Sequence, residues 1–386
     1  MEKIKIDDVC DILNGYSFKS ENYVDSGIRI IRISNVQKGY IEDSTPAFYS
    51  FDTMGLSKFM LEEGDLLMSL TGNVGRVAIL EKELLPAALN QRVACLRLKS
   101  NKITKSYLFH FLNSNFFEQQ CIMASNGVAQ KNMSTEWLKD YEIPLYTPNQ
   151  QEEIVTVLNA AQSILSSRRQ QLQKLDELVK ARFVEMFGAY PLNPMGWKKG
   201  TIRDVVADVR YGSSRPAVGG GKYPYLRMNN ITYGGELDLS DVKRIDVPEN
   251  ELEKCTVRRG DVLFNRTNSK ELVGKTCVYD RDEMMVLAGF VIRVRVNDVV
   301  LPEFLSAFLN TDFSKRTLLG MCKAAIGQAN INAQEMQNIG IYIPPIELQR
   351  EFVQFKNQTD KSKVAVQKAL DEAQLLFDSL MQKYFG

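Results

Sequence analysis

The sequence has a single histidine, His110, and six widely separated cysteines among its 386 residues. One histidine cannot build a histidine-based metal site, and the absence of any Cys-x-x-Cys spacing excludes an ordinary zinc site. No run of 18 or more apolar residues occurs, which excludes a membrane-spanning helix, and the start of the chain lacks the apolar stretch of a signal peptide. We therefore expect a cytoplasmic protein whose cysteines are reduced and packed as small apolar side chains.

Catalytic signatures are also missing. The run 219–222, Gly-Gly-Gly-Lys, suggests a phosphate-binding loop, but a Walker A motif requires glycine in place of Pro216 and serine or threonine in place of Tyr223. Neither the Asn/Asp-Pro-Pro-aromatic signature of amino-methyltransferases nor a Gly-x-Ser-x-Gly nucleophile elbow is present. Asp65 and Asp261 each follow a glycine, and we interpret them as turn residues that bind their own backbone. We expect that the chain is not an enzyme by itself.

The sequence does contain a long internal repeat. Segment 31–36 (Ile-Arg-Ile-Ser-Asn-Val) is matched by 226–231 (Leu-Arg-Met-Asn-Asn-Ile), and 64–67 is matched by 260–263. Each half closes with Ile-Pro, a glutamine-containing helix start and a final Phe-Gly. Solenoid repeats have only about 20–50 residues, so these copies are whole domains related by a pseudo-twofold axis.

Within each copy, short runs rich in Ile, Val and Leu predict strands, as at 28–36, 66–70 and 92–98. The spacing of apolar residues predicts one helix over 106–120, with His110 at the polar edge of its buried face. The net charge of +1 gives no general argument for nucleic acid binding, although basic grooves balanced by acidic faces would produce the same value.

Segment 149–187 differs from the rest because it has no glycine or proline and its apolar residues recur near every 3.5 positions. This pattern predicts a helix of roughly 57 Å, and 346–385 is a second copy with a more polar middle. We expect the two helices to bury their apolar stripes against one another in antiparallel orientation. The alternative is that each helix packs only on its own globular domain.

These features predict an α+β fold with a pseudo-twofold repeat, in which two globular mixed α/β domains are separated by two long antiparallel coiled-coil helices. The predicted segments are the first globular domain (1–147), the first long helix (148–188), a linker (189–197), the second globular domain (198–345) and the C-terminal long helix (346–386).

Basic and amide side chains recur in the loops of both halves. Arginine and lysine suit phosphates and the guanine edge, whereas asparagine and glutamine suit adenine. Any one of them alone fits a solvated surface role, but their joint placement in loops rich in Gly, Thr and Ser favours DNA binding. The candidates are Arg32, Asn35, Lys58, Asn73, Arg76, Gln91, Arg92, Lys131 and Asn132 in the first half, and Arg215, Arg227, Asn230, Arg266, Asn268, Lys270, Lys275 and Lys323 in the second.

The entry to each long helix resembles a known family. Residues 143–154 (Ile-Pro-Leu-Tyr-Thr-Pro-Asn-Gln-Gln-Glu-Glu-Ile) and 343–352 (Ile-Pro-Pro-Ile-Glu-Leu-Gln-Arg-Glu-Phe) resemble the helix-entry segments of type I restriction–modification specificity subunits. The start of the second domain, Gly-Trp-Lys-Lys at 196–199 followed by Asp204-Val205 and Tyr211-Gly212, is similar to that family as well. The resemblance covers nearly the whole chain.

This resemblance implies a non-catalytic subunit that reads double-stranded DNA and binds no cofactor itself. It implies two methyltransferase subunits, which bind S-adenosylmethionine and methylate adenine, and an ATP- and Mg-dependent restriction and translocase subunit. The methyltransferase copies would dock on the helices, whose apolar stripes include Ile154, Leu158, Leu165, Leu172, Leu175, Val179, Phe352, Leu370, Phe377 and Leu380.

The implied target is bipartite and asymmetric, because the loop 71–76 is matched by a longer loop at 267–275 and the two halves should therefore read different bases. The helices would act as a ruler, with half-sites about one helical turn, or roughly 34–36 Å, apart. Two alternatives remain: a coiled-coil scaffold that binds only proteins, and a stand-alone nuclease or methyltransferase with an unrecognised site.

Overall fold

The computed structural model describes residues 2–52, 55–125, 132–322 and 329–386. Predicted binding residues Lys131 and Lys323 lie outside these ranges. The chain forms two compact units, each with part of both long helices: unit 1 comprises 1–168 and 369–386, and unit 2 comprises 169–368.

Unit 1 begins with a mixed α/β region. Its strands are β1 (Lys3–Lys5), β2 (Cys10–Asn14), β3 (Ile28–Ile31), β4 (Phe48–Tyr49), β5 (Leu66–Ser69), β6 (Val77–Ile79), β7 (Ala87–Leu89), β8 (Val93–Leu98) and β9 (Glu142–Pro144), and its helices are α1 (Ile6–Val9), α2 (Lys105–Leu112), α3 (Asn115–Ala124), α4 (Thr135–Asp140) and the first part of α5 (Pro148–Phe187).

Unit 2 repeats this arrangement. Its strands are β10 (Lys198–Thr201), β11 (Val206–Tyr211), β12 (Tyr223–Leu226), β13 (Lys243–Ile245), β14 (Thr256–Val257), β15 (Val262–Asn265), β16 (Thr267–Asn268), β17 (Thr276–Val278), β18 (Met285–Leu287), β19 (Val291–Val296), β20 (Ala329–Asn330) and β21 (Gly340–Ile343), and its helices are α6 (Ile202–Val205), α7 (Glu249–Cys255), α8 (Pro302–Leu309), α9 (Asp312–Met321), α10 (Ala333–Gln337) and the first part of α11 (Ile346–Phe385).

One antiparallel sheet in each unit has the same strand order, whereas the second sheet has three strands in unit 1 and four in unit 2. In unit 1 an antiparallel sheet has the order β2-β8-β5-β6, and in unit 2 its counterpart is β11-β19-β15-β17. A second sheet contains one parallel pair in each unit, β3 with β7 and β12 with β18. The internal repeat predicted from the sequence is therefore confirmed at the level of strand order.

The apolar runs form central strands that are buried on both faces. Leu66 and Met68 of β5 join the core beside α2 and α3, while Leu67 points into the core shared with the second sheet. Val262 and Phe264 of β15 alternate with Leu263 in the same way. This is why the strands read as continuous apolar runs rather than as alternating ones.

The turn before each central strand has the predicted chemistry. Asp65 accepts a hydrogen bond from the Glu62 backbone at 2.8 Å, and Asp261 accepts one from Arg258 at 2.9 Å. The sequence did not reveal that each buried carboxylate also binds an arginine on the neighbouring strand, Arg97 in unit 1 and its counterpart Arg295 in unit 2. These charge-assisted pairs compensate the burial of Asp65 and Asp261.

The single helix predicted over 106–120 is instead two helices, α2 and α3. The chain turns at Ser114, whose hydroxyl accepts a hydrogen bond from the Phe117 backbone at 3.1 Å and so starts a new helix. His110 is buried as predicted, and its Nε2 lies 2.8 Å from Asn159 Oδ1 of α5. Burial lowers the pKa of His110, so that the ring is neutral near pH 7.

The long helices are antiparallel, as predicted. In unit 1, Ile154 near the start of α5 shares a core with Met381 and Phe385 near the end of α11. In unit 2, Phe183 near the end of α5 packs on Phe352 near the start of α11, with ring centroids 5.3 Å apart. Phe183 also stacks on Phe304 of α8, so each helix contacts both its partner helix and a globular domain.

One buried glutamine holds the entry to each long helix. Gln151 accepts a hydrogen bond from the Thr104 backbone and donates to the carbonyls of Lys102 and Tyr146. Gln349, in the same position of α11, makes the same three kinds of bond. Both residues have 0% exposure, so each side-chain amide provides hydrogen bonds to three backbone groups that water cannot reach.

The polar middle of α11 also has partners inside unit 2. Lys363 forms ion pairs with Asp176 of α5 and with Glu236 in a loop of the globular domain. Burial disfavours the charged ammonium, but the hydrogen bond to Asp176 and the surrounding carboxylates outweigh it and raise the pKa of Lys363. Thr359 is buried and donates to the Phe355 carbonyl at 3.0 Å. These contacts explain how a polar segment continues an otherwise apolar seam.

Candidate DNA interface

Four loop segments meet at one edge of unit 1. The Gln91 backbone donates to the Tyr16 carbonyl at 3.0 Å, and Leu70 donates to the Arg92 carbonyl at 3.0 Å. The Met133 backbone then donates to the Leu70 carbonyl at 2.9 Å. We call the surface formed by segments 14–16, 70–73, 90–92 and 132–133 loop edge 1.

Unit 2 has the same hydrogen-bonded frame. Gly289 donates to the Ser213 carbonyl at 2.7 Å, and Arg266 donates to the Phe290 carbonyl at 3.0 Å. Ile331 donates to the Arg266 carbonyl at 2.9 Å. Segments 211–213, 266–268, 288–290 and 330–331 therefore form loop edge 2, the counterpart of loop edge 1.

A glycine in each frame permits the close approach of two backbones. A Cβ added at Gly15 would lie 2.2 Å from the Asn90 carbonyl carbon, and one added at Gly212 would lie 2.3 Å from the carbonyl oxygens of Leu287 and Ala288. Real Cβ atoms do not come this close to backbone, so only glycine fits. The loops that carry the candidate residues are thus joined to the central sheets, which positions their side chains.

Loop edge 1 presents polar side chains to solvent. Gln91 and Arg92 are exposed, and within the described residues neither side chain makes a hydrogen bond or ion pair. Asn132, on the neighbouring segment, is also exposed, and Tyr16 exposes 42% of its surface. An unpaired guanidinium and two amides have the donors and acceptors needed to contact phosphates and base edges.

Loop edge 2 combines an arginine with aromatic rings. The Arg266 guanidinium lies over the Tyr211 ring at 4.8 Å, and the Tyr211 hydroxyl accepts a hydrogen bond from the Ala333 backbone. Phe290, which follows Gly289, exposes 53% of its surface. Asn268 is half-buried in β16, where its side chain accepts a hydrogen bond from the Ser269 backbone. The two loop edges therefore share a frame and differ in chemistry.

The structure does not place Asn35 and Asn230, which were predicted to bind DNA, on an accessible surface. Both are buried, and each accepts a hydrogen bond from the backbone three residues earlier, Arg32 at 2.9 Å and Arg227 at 2.8 Å. Their amide nitrogens donate to further backbone carbonyls. Because both amides are buried and bonded to the backbone of their own turn, they are not presented to a base.

Lys275 is likewise not a surface residue. It is 7% exposed and donates to the Met228 carbonyl at 2.8 Å, and burial lowers its pKa. Arg76, at the equivalent position of unit 1, is half-buried and donates to Gln37. The prediction that Lys275 contacts DNA is therefore corrected, and Arg76 would have to leave Gln37 to do so.

The remaining predicted residues fall into two groups. Arg215 and Arg227 are held by carboxylates, Glu251 at 2.7 Å and Asp241 at 2.8 Å, and Arg32 donates to the Thr45 carbonyl. Asn73 and Lys270 are exposed on loops, and Lys58 is exposed on a short 3-10 helix, Leu56–Phe59. Ion pairs at exposed positions are weak, so phosphates could compete for Arg215.

Three exposed aromatic residues at the loop edges, Tyr16, Tyr211 and Phe290, are not among the residues predicted from the sequence. The predicted residues are all basic or amide, although apolar side chains also contact bases. The available signal was the repeat itself, because Arg92 and Phe290 occupy equivalent positions with unlike chemistry.

The apolar stripes of the long helices face the interior of the units. Ile154, Leu158, Leu165 and Phe352 are buried. The half-buried members are Leu172, Leu175, Val179, Leu370, Phe377 and Leu380. The buried residues stabilise the helices from within, as expected for stripes that pack on one another, so a partner that docks on the helices would contact other residues of them. Exposed apolar residues lie elsewhere on the helices, including Leu178 with 46% and Leu376 with 56% exposure.

Within the described ranges, no group of three or more His, Cys, Asp or Glu side chains is placed so that it could hold a metal ion. Among the same residues, no helix is long and apolar enough to cross a membrane.

A family model described as "Type I restriction modification DNA specificity domain" matches residues 1–177 and 194–373. The type I restriction enzyme EcoKI specificity subunit of Escherichia coli (strain K12) is 22% identical over 402 residues, which cover 98% of this chain and 86% of that protein. The EcoBI specificity subunit of Escherichia coli is 23% identical over 419 residues, with coverage of 99% and 85%.

Two solved structures resemble the fold. The S subunit of a type I restriction–modification system from M. genitalium has a TM-score of 0.52 at 15% identity and covers 100% of this chain and 96% of its own. A chain from a study of complex assembly and conformational transition of the type I restriction–modification system has a TM-score of 0.60 at 18% identity, with coverage of 100% and 97%. At these identities the likeness supports the fold alone.

Proposed function

Since the chain belongs to the type I restriction–modification DNA specificity family, with one family domain in each half, we propose that loop edges 1 and 2 each read one part of a bipartite DNA target. The chain is a specificity subunit that recognises DNA sequence through its two domains. The observation that carries the proposal is the shared backbone frame with unlike side chains, Arg92 and Gln91 in unit 1 and Phe290 and Arg266 in unit 2.

The mechanism follows from this division of roles. Basic residues around the loop edges would contact phosphates and set the register of each unit on the duplex, while residues at the edges would contact bases in the major groove. Because α5 and α11 each contribute to both units, we propose that their length fixes the gap between the half-sites.

We propose that catalysis resides in other subunits of a DNA adenine methyltransferase and restriction endonuclease acting in the cytoplasm. Two methyltransferase subunits would bind S-adenosylmethionine, and a restriction and translocase subunit would use ATP and Mg²⁺. This chain would bind none of these cofactors and would recognise the DNA sequence at which the other subunits act.

Salt dependence of DNA binding separates this proposal from a protein-binding scaffold. With the methyltransferase subunit present, the chain should bind its target duplex with an affinity that falls by orders of magnitude between about 50 and 200 mM salt, because phosphate contacts release counterions. A fluorescence titration across this range measures the slope. A salt-independent or absent affinity for duplex DNA would favour the scaffold.

Exposed leucines on the long helices are proposed to hold the two methyltransferase copies. Leu178 lies 27 residues after Gln151, and Leu376 lies 27 residues after Gln349, so the two occupy equivalent positions. Two identical partners require equivalent surfaces, and exposed leucines at such positions provide them.

A charged side chain at Leu178 or at Leu376 should prevent the binding of one methyltransferase copy. Leu178→Arg and Leu376→Arg should each reduce the bound methyltransferase from two copies to one, and the double variant should bind none, because a charge placed in an apolar contact is desolvated without a partner. Native mass spectrometry or light scattering counts the copies, with exposed Ser166→Arg as the control. Two copies bound to the double variant would refute this docking surface.

A further inference from the structure

An equivalent backbone hydrogen bond in each loop edge joins an arginine to an apolar residue, but the arginine is the acceptor residue in unit 1 and the donor residue in unit 2. In unit 1 the bond joins Leu70, which is 6% exposed, to the exposed Arg92. In unit 2 it joins the half-buried Arg266 to Phe290, which is 53% exposed. The position that carries an exposed guanidinium in one unit therefore carries a phenyl ring in the other.

Hydrogen bonds hold the backbone that carries the phenyl ring. The Phe290 carbonyl accepts the Arg266 backbone hydrogen bond, and the preceding Gly289 is bonded to the Ser213 carbonyl. Arg266 itself lies over Tyr211 and keeps its side chain beside that ring. A phenyl ring left half in water lacks part of the stabilisation that burial gives, and contact with DNA would supply it.

The major groove offers one apolar feature at the base edge, the C5-methyl group of thymine. Arginine at the equivalent position of unit 1 suits the O6 and N7 acceptors of guanine, which a phenyl ring cannot satisfy. We propose that Phe290 is a specificity-determining residue that contacts a thymine methyl group in the half-site read by unit 2, while Arg92 contacts guanine in the other half-site. This inference rests on the proposed function of the loop edges.

The experiment removes the methyl group and the ring separately. Each thymine of the unit 2 half-site is replaced by uracil in a synthetic duplex, and affinity is measured for the complex of this chain with its methyltransferase subunits. One replacement should weaken binding of the wild-type complex by about fourfold, the value of one methyl-sized group. The same replacement should have no effect on Phe290→Ala, since the two changes remove one contact. Phe290→Leu should retain the sensitivity to uracil.

The controls separate the possible failures. Arg92→Ala should keep the sensitivity to uracil in the unit 2 half-site and lose discrimination at a guanine in the other. A half-site without thymine on either strand, or equal effects of uracil on wild type and Phe290→Ala, would overturn the role of Phe290. The second result would also be expected if the ring acted as a wedge between base steps. If the wild-type complex does not distinguish its target from a scrambled duplex, the proposed function itself fails.

Discussion

Gln349→Ala should destabilise unit 2 by at least about 3 kcal/mol, because three backbone groups lose at once the only hydrogen-bond partner that they have among the described residues. The side chain accepts from the Leu301 backbone at 2.8 Å and donates to the Val299 and Pro344 carbonyls at 3.0 and 2.9 Å. With 0% exposure at Gln349, water cannot replace these bonds without opening the entry to α11. Urea or thermal unfolding monitored by circular dichroism measures the loss.

Gln354 on the same helix provides the matched control. Its side chain is exposed, and Gln354→Ala should change stability by no more than about 0.5 kcal/mol. Gln151→Ala should repeat the large effect in unit 1, where the same network holds α5. Equal unfolding midpoints for Gln349→Ala and Gln354→Ala would show that the network does not stabilise the helix entry.

Gly212→Ala should abolish recognition of one half-site and leave the other intact. The new methyl group would lie 2.3 Å from the carbonyl oxygens of Leu287 and Ala288, so the backbones of loop edge 2 must separate. Such overpacking costs about 1–3 kcal/mol and displaces the Phe290 segment, which is bonded through Gly289 to Ser213. Binding to duplexes with one scrambled half-site measures each reader separately.

Gly219→Ala is the control for this substitution, since nothing lies within 4 Å of its added methyl group. Gly15→Ala should abolish recognition of the half-site read by loop edge 1 and leave recognition of the other half-site intact. If Gly212→Ala reads both half-sites as well as Gly219→Ala does, loop edge 2 is not the reader. Loss of both half-sites by Gly212→Ala would contradict the independence of the two units.

The scaffold was predictable because its determinants are local and occur twice. The apolar period of 149–187 predicted α5, and the repeated glutamine marked a helix entry whose physical reason is the three-bond network of Gln151 and Gln349. The predicted helix over 106–120 was wrong because a serine cap at Ser114 outweighed a continuous apolar period.

The reading residues were harder to predict for a related reason. Asn35 and Asn230 drew attention because they repeat, yet repetition marked them as parts of a shared turn. Two readers of different sequences should differ at equivalent positions, as Arg92 and Phe290 do. Lys275 is of a residue type that often contacts DNA, but it is buried and donates a hydrogen bond to a backbone carbonyl. Only the tertiary structure reveals this burial.

We propose that one chain carries two different readers in one repeated frame. Mapping methylated adenines genome-wide, in cells that express this chain with the proposed methyltransferase subunit, tests this most directly. The expected result is one motif of two unlike half-sites separated by an unread gap of constant length. A palindromic motif, a single continuous motif, or methylation without sequence preference would contradict it.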